Sequence, residues 1–166
     1  MTRCLATSVS GLPSCPKVQP FVVPECVATA RAVMTRRREP KWLTRRMLDV
    51  LHNDQIREHG GSPGVRDAGL LESALARPRQ KWEYADKPDL AALAAAYAFG
   101  IAKNQGYVDG NKRAAFMAAY VFLGLNGHDL AVAELEVVAT VEGVAAGKLA
   151  EARLAEWFRA VMISLA

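Results

Sequence analysis

The sequence predicts an all-α protein, a bundle of about six helices around one buried central helix, with room for at most a short β-hairpin. Two observations lead to this prediction. Hydrophobic residues make up 51% of the 166 residues but aromatic residues only 7%, so the core must consist largely of alanine, leucine and valine, and alanine and leucine are strong helix formers. Apolar residues also recur at spacings of three and four, and no long stretch alternates as a strand does. A chain of this length is typical of one domain.

The amino-terminal segment differs from the rest of the chain. Residues 1–33 contain four prolines, no lasting periodicity and all three cysteines, at positions 4, 15 and 26. Neither a nearby histidine nor a C-x-x-C pair is present, so we expect no metal site there. We expect residues 1–40 to form a basic extension, either disordered or the product of a start codon assigned too early, with Met34 as the true first residue. Residues 41–166 are expected to form the domain.

The positive charge is concentrated in the same region. Residues 34–46 carry six cations against one acid, whereas residues 47–166 carry 12 cations and 15 acids. Arg36, Arg37 and Arg38 suit an acidic partner or nucleic acid, but a solvated arm is the simpler interpretation. No uncharged apolar stretch is long enough to span a membrane.

The first helices are predicted from their end signals. Thr44 is the expected N-cap of a helix that ends near Gly60. The glycine-rich residues 60–66 form a mobile loop. A second helix runs from Asp67 to about residue 77, where Pro78 is expected to stop it. Residues 79–88 then form a polar connection.

The later helices follow from apolar spacing. A third helix begins at residues 88–89 and ends near Asn104. The fourth contains residues 114–123, which are apolar on every face, and is therefore expected to be buried. It ends before Gly127. Further helices are predicted at residues 134–142 and 149–165.

The fourth helix is preceded by the residues that carry the most chemistry. Asp109, Gly110, Asn111, Lys112 and Arg113 are consecutive. The free N–H groups of a first helical turn attract anions, above all phosphate, and a glycine lets a ligand approach the backbone. The carboxylate suits Mg²⁺ and the two cations suit phosphate oxygens. The alternative is an ordinary Asp-Gly turn followed by solvated charges.

These residues also carry a family resemblance. The octapeptide at residues 108–115, VDGNKRAA, resembles the core motif of the Fic/Doc (Fido) superfamily, and its Asn-Lys-Arg form is similar to the death-on-curing (Doc) toxin branch. Residues 60–78 and 122–127 resemble the upstream block of that family and the end of its motif helix. The likeness extends over about residues 42–159.

The resemblance implies a reaction and its partners. It implies a transferase that uses ATP and Mg²⁺ to modify a hydroxyl on another protein. Doc-type members transfer the γ-phosphate to a threonine of elongation factor Tu, and Lys112 in place of glycine favours this reaction over AMP transfer by Fic-type members. The implied partner is a cognate, Phd-like antitoxin. We expect contact with nucleic acid only through the complex with this antitoxin, and the implied location is the cytoplasm.

The resemblance also implies roles for individual residues. Gln105, Asp109 and Lys112 occupy catalytic positions, with Asp109 as the Mg²⁺ ligand. The phosphate-binding residues are Gly110, Asn111, Lys112 and Arg113. A possible flap that positions the target involves Gly64, Arg66 and Tyr107.

One position departs from the family pattern. The family motif begins with a histidine that accepts the proton of the target hydroxyl, and Gln105 stands in its place. An amide does not take up a proton near neutral pH. Two interpretations therefore stay open, an atypical and weak toxin, or a catalytically silent protein that binds nucleotide or antitoxin. For His52, His59 and His128 we expect surface or capping roles.

Overall fold

The computed structural model describes residues 38–165, and in this range the chain forms six α-helices and two three-residue strands. The all-α prediction is thus confirmed. The expectations for the cysteines, Met34 and the extension up to residue 37 concern residues outside the described range. None of the helices in residues 38–165 has both the length and the apolar character needed to cross a bilayer. In chain order the elements are α1 Arg45–His59, α2 Ala68–Tyr84, α3 Leu90–Asn104, α4 Asn111–Leu125, β1 His128–Leu130, α5 Glu134–Ala145, α6 Glu151–Val161 and β2 Met162–Ser164.

Helix α3 lies at the centre of the bundle and packs against α2, α4 and α6. Its many alanines allow close approach, and a Cβ added at Gly100 would lie 3.4 Å from the Cα of Ala74 in α2. Helix α4 packs beside α3 and buries a face that includes Ala115, Ala118 and Phe122, although its sequence is apolar all round. The site before α4 is therefore held between two packed helices.

The predicted N-cap at Thr44 and the predicted starts of the second and third helices are confirmed. Thr44 Oγ1 accepts from Met47 N at 3.3 Å at the start of α1. Asp67 Oδ1 and Asp89 Oδ1 accept from the third residue of α2 and α3, at 3.1 and 2.8 Å. Each side chain satisfies one of the free N–H groups of its first turn.

The predicted end of α2 at Pro78 is wrong, because the helix continues to Tyr84. A proline inside a helix removes one backbone hydrogen bond and costs about 3 kcal/mol. Here the ring of Pro78 is buried, and the added turn gains contacts. Trp82 packs edge-on against Trp42 with ring centroids 6.4 Å apart, and Lys81 forms an ion pair with Glu151 of α6.

The β structure also differs from the prediction. The chain after α6 is not helical up to residue 165, because residues Met162–Ser164 form β2, which pairs antiparallel with β1. Leu165, at the end of the predicted last helix, is exposed. These strands are far apart in sequence and do not form a hairpin at the flap, where an isolated bridge joins Val65 to Tyr107.

Candidate functional site

The loop between α3 and α4 is held in one shape by its own backbone. Gln105 ends α3 in the left-handed conformation, with φ 49° and ψ 48°. Gly106 is buried, and a Cβ there would lie 2.5 Å from Leu71 Cγ, so this position excludes larger residues. Its carbonyl accepts from the N–H groups of Arg66 and Asp67 at 2.8 and 3.0 Å. The start of α2 therefore fixes the start of the loop.

The loop is also joined to the glycine-rich segment before α2. Val108 N donates to Gly64 O at 3.0 Å, and the guanidinium of Arg66 donates to the carbonyl of Gln105. The side chain of Gln105 is exposed. The predicted flap residues thus both contact the loop, Gly64 at Val108 and Arg66 at Gln105, the position that corresponds to the family histidine.

Asn111 closes the loop on itself. Its side-chain oxygen accepts from Tyr107 N and its side-chain nitrogen donates to Tyr107 O, both at 2.9 Å. These two bonds fix the amide group of Asn111 against the backbone of Tyr107. The ring of Tyr107 is buried, with 1% exposed, so this residue meets the flap through its backbone bridge to Val65.

The first turn of α4 has no side-chain cap. Its N-cap is Gly110, in the left-handed conformation at φ 74°. The first helical bond runs from Ala114 N to Gly110 O at 2.9 Å. The N–H groups of residues 111–113 therefore precede the hydrogen-bonded part of the helix, which is the arrangement that binds anions.

Asp109 and Arg113 face one another across Gly61. A Cβ added at Gly61 would lie 2.7 Å from Asp109 Oδ2 and 3.2 Å from Arg113 Nη2. The guanidinium of Arg113 donates to the carbonyls of Gln55 and Gly60 at 3.0 and 2.9 Å. It thereby ties the end of α1 to the site, and it places a cation beside the exposed carboxylate.

The carboxylate of Asp109 is held ionised. Oδ1 accepts from Gly110 N at 2.6 Å and Oδ2 from Ser62 N at 3.3 Å. These backbone hydrogen bonds, Gly110 first, together with the positive charge of Arg113, lower the pKa of Asp109 below its ordinary value. In residues 38–165 no group of three or more acidic, histidine or cysteine side chains is placed to hold a metal. A single carboxylate still suits Mg²⁺, which usually keeps several waters and shares the rest of its ligands with phosphates.

Lys112 lies on a groove between α4 and α5. Its Nζ is 3.8 Å from Glu142 Oε1, and both side chains are mostly exposed. The groove encloses a cavity of about 230 Å³ with an apolar floor that includes Phe116 and Val141. Because an exposed pair of this kind contributes little to stability, about 0–1 kcal/mol, Lys112 is free to turn towards a ligand.

His52 is the site residue that the sequence analysis missed, and its expected surface role is wrong. It is buried, with 1% exposed. Its ring stacks on Tyr107 at 3.7 Å with an interplanar angle of 3°, and its Nε2 lies 2.8 Å from Asp109 O. The signal was present in the sequence, since His52 falls four residues after Leu48 and four before Ile56, on the buried face of α1.

His52 does not replace the absent base. Its ring is enclosed and its Nε2 contacts the backbone, so it cannot reach a hydroxyl beside Gln105. Of the other two histidines, His59 is exposed, as predicted, and His128 Nδ1 lies 3.0 Å from Asn126 O at the end of α4.

Fold and site together define an all-α protein in which the uncapped start of a packed helix is flanked by a carboxylate and two cations. Residues 42–123 match the sequence profile of the Fic/DOC family. Over 112 residues the chain is 30% identical to the protein kinase doc of Escherichia phage P1, a stretch that covers 68% of this chain and 88% of that protein. The chain belongs to the Fic/Doc family.

A second relative supports the branch within the family. Over 84 residues the chain is 48% identical to the toxin Doc of Mycolicibacterium smegmatis. This match covers 50% of the chain and spans 64% of the length of that relative. The two relatives place the chain in the Doc toxin branch.

Proposed function

We propose that this chain is a Doc-like toxin component, a phosphotransferase that moves the γ-phosphate of ATP to a hydroxyl of a translation protein. Elongation factor Tu is the target implied by the family. The observation that carries the proposal is the arrangement at the start of α4. Its first turn has uncapped N–H groups, and the ionised Asp109 and the guanidinium of Arg113 both lie close to Gly61. The names of the two relatives, a toxin and a protein kinase, agree with this function.

Each residue of the site has a role in this reaction. The N–H groups of residues 111–113 bind phosphate oxygens, and Asp109 holds Mg²⁺, which when bound neutralises phosphate charge. Lys112 turns from Glu142 to a phosphate, and Arg113 adds positive charge while it anchors α1. Phosphoryl transfer depends chiefly on positioning and charge neutralisation, which are the properties that these residues supply.

Gln105 sets the expected rate. A general base usually accelerates a reaction by about 10²–10⁴-fold, and the exposed amide of Gln105 can orient a hydroxyl by a hydrogen bond but cannot take its proton. The proposal therefore combines normal nucleotide binding with slow transfer. We place the protein in the cytoplasm with a Phd-like antitoxin as partner, since its proposed target takes part in translation.

One observation favours a second function. The buried His52 cannot act as a substitute base, so the loss at Gln105 has no compensation from that residue. A catalytically silent protein that binds nucleotide, antitoxin or both is the candidate that follows from this. AMP transfer is a third candidate, which differs in the phosphate that reaches the target.

The test is a labelling experiment with four forms of the chain. The parent, Gln105→His, Asp109→Asn and Gln105→His/Asp109→Asn are each incubated with elongation factor Tu, Mg²⁺ and ATP labelled at the γ or the α position. We expect slow γ-label transfer by the parent, about 10²–10⁴-fold faster transfer by Gln105→His, and none by the two forms that lack Asp109. Transfer by Gln105→His alone supports the silent protein. Transfer of α-label instead supports AMP transfer, and labelling by none of the forms contradicts the proposed function.

A further inference from the structure

One buried side chain of helix α1, His52, contacts the catalytic loop at several points. His52 meets three parts of the loop at once. Its ring stacks on Tyr107, its Nε2 lies 2.8 Å from the carbonyl of Asp109, and a Cβ added at Gly110 would be 3.3 Å from the same Nε2. This bond helps to set where the peptide between Asp109 and Gly110 lies.

The carbonyl of Asp109 determines which tautomer of the His52 ring can form this bond. A carbonyl oxygen accepts hydrogen bonds and cannot donate them. The 2.8 Å contact is therefore a bond only when Nε2 carries the hydrogen. His52 thus donates to the backbone of the residue whose carboxylate faces the anion site.

The same peptide controls the direction of the carboxylate. Gly110 N donates to Asp109 Oδ1 at 2.6 Å, and Ser62 N donates to Oδ2 at 3.3 Å. A rotation of the peptide between Asp109 and Gly110 would move its N–H away from Oδ1. Partners that orient a metal ligand from behind usually change metal affinity by about 10–100-fold when they are removed.

We propose that His52 is a positioning residue, which holds the Asp109 carboxylate in the orientation that accepts Mg²⁺ by donating its Nε2–H to the Asp109 carbonyl. The role of Mg²⁺ rests on the proposed function. The hydrogen bond from His52 to the Asp109 carbonyl, and its effect on the position of the loop, do not depend on that function. Burial alone does not explain the placement, because an apolar ring would stack on Tyr107 equally well.

Two substitutions separate the donor from the ring. His52→Phe keeps an aromatic ring against Tyr107 and removes the donor, whereas His52→Gln keeps an N–H donor and removes the ring. His59→Phe, at the exposed end of the same helix, is the matched control. ATP affinity is measured by calorimetry with Mg²⁺ and again with EDTA in its place.

We expect Mg²⁺ to strengthen ATP binding by the parent. His52→Phe should lose about 10–100-fold of affinity in Mg²⁺ and change little in EDTA, His52→Gln should recover most of the loss, and His59→Phe should match the parent. Parent-like binding of MgATP by His52→Phe would overturn the inference while leaving the proposed function intact. Equal losses in Mg²⁺ and EDTA would also overturn it, since they indicate a general structural defect.

A spectroscopic measurement keeps the inference testable without ATP. In the ¹⁵N-labelled parent we expect His52 to carry its hydrogen on Nε2, and in His52→Phe we expect the amide signals of Gly110 and Ser62 to shift, because both amides donate to the Asp109 carboxylate. If the parent binds no ATP, the proposed function fails and these signals decide the inference. A hydrogen found on Nδ1 alone, or unchanged amide signals in His52→Phe, would refute it.

Discussion

The phenol of Tyr107 donates a 2.6 Å hydrogen bond to Asp49 Oδ1, which joins the loop before α4 to the middle of α1. Asp49 also accepts from Arg45 Nε at 3.0 Å. Burial first, and then the hydrogen bond and the negative charge of Asp49, raise the pKa of Tyr107, so the phenol keeps its proton and remains a donor at neutral pH. Through this bond and the stacking of His52 on Tyr107, α1 holds the loop in place.

Removing the hydroxyl group of Tyr107 should weaken the fold. Tyr107→Phe takes away a hydrogen bond to a charged acceptor, so we expect the free energy of unfolding to fall by about 1–3 kcal/mol, measured by urea denaturation. Tyr84→Phe is the matched control, because the side chain of Tyr84 is 84% exposed, and it should stay within about 0.5 kcal/mol of the parent. Equal stability of all three proteins would contradict the assigned bond.

A methyl group at Gly61 should damage the proposed anion site. Gly61→Ala places a Cβ 2.7 Å from Asp109 Oδ2, so the carboxylate must move and MgATP binding should weaken, as measured by calorimetry. Gly60→Ala is the control, because Gly60 also has positive φ but a Cβ there meets no atom within 4 Å. Both variants should lose about 1–3 kcal/mol of stability from backbone strain. The prediction fails if Gly60→Ala weakens binding as much as Gly61→Ala.

The two cations of the site should respond differently to substitution. Lys112→Ala removes only a 3.8 Å exposed pair with Glu142, so stability should stay within about 0.5 kcal/mol while ATP affinity falls about tenfold or more, as expected for loss of a charged hydrogen bond of about 1.5–3 kcal/mol. Arg113→Lys should lower both quantities, because a lysine cannot reproduce the fork that binds Gln55 and Gly60.

The control for this pair is Lys148→Ala, at an exposed position outside the site, which should leave ATP affinity unchanged. Urea denaturation and calorimetry on the same preparations provide both quantities. A Lys112→Ala protein that loses stability but keeps its ATP affinity would show that Lys112 has a structural role.

A partly buried acid in the first turn of α6, Glu151, should make stability depend on pH. Burial raises the pKa of Glu151, but hydrogen bonds from Lys81 and Arg77 and their charges outweigh burial, so the pKa is lowered from the ordinary 4.5. A lowered pKa stabilises the fold above about pH 4.5 and loses its effect as the pH falls through the folded-state pKa. Glu151→Gln should therefore cost about 1–3 kcal/mol at pH 7 and progressively less below pH 4.5.

Urea denaturation between pH 2 and pH 7 measures this difference. Glu156→Gln, whose exposed partner is Arg153 of the same helix, is the control and should show a small difference at every pH. A cost of Glu151→Gln that stays constant from pH 7 down to pH 2 would contradict the assigned ion pairs.

Some errors of the sequence analysis have a common cause in long-range packing. Pro78 is a local stop signal, but contacts of Trp82 and Lys81 with distant residues extend α2 beyond it. The apolar residues after Val161 continue a helical pattern, but pairing with β1 makes them a strand. Local propensity amounts to less than 1 kcal/mol per ordinary residue, so a few tertiary contacts reverse it.

The sequence by itself determined the helix class, the N-cap at Thr44, the starts of the helices near Asp67 and Asp89, and the family, because these depend on composition and on neighbouring residues. Only the tertiary structure decided which groups surround the site. His52 and Asp49 are more than 50 residues before the loop that they hold, and Asn111 proved to bind Tyr107 with its amide group. The contacts of His52 and Asp49 arise from the packing of α1 against the loop and α4, and spacing along one helix contains no information on the partner that the other helix brings.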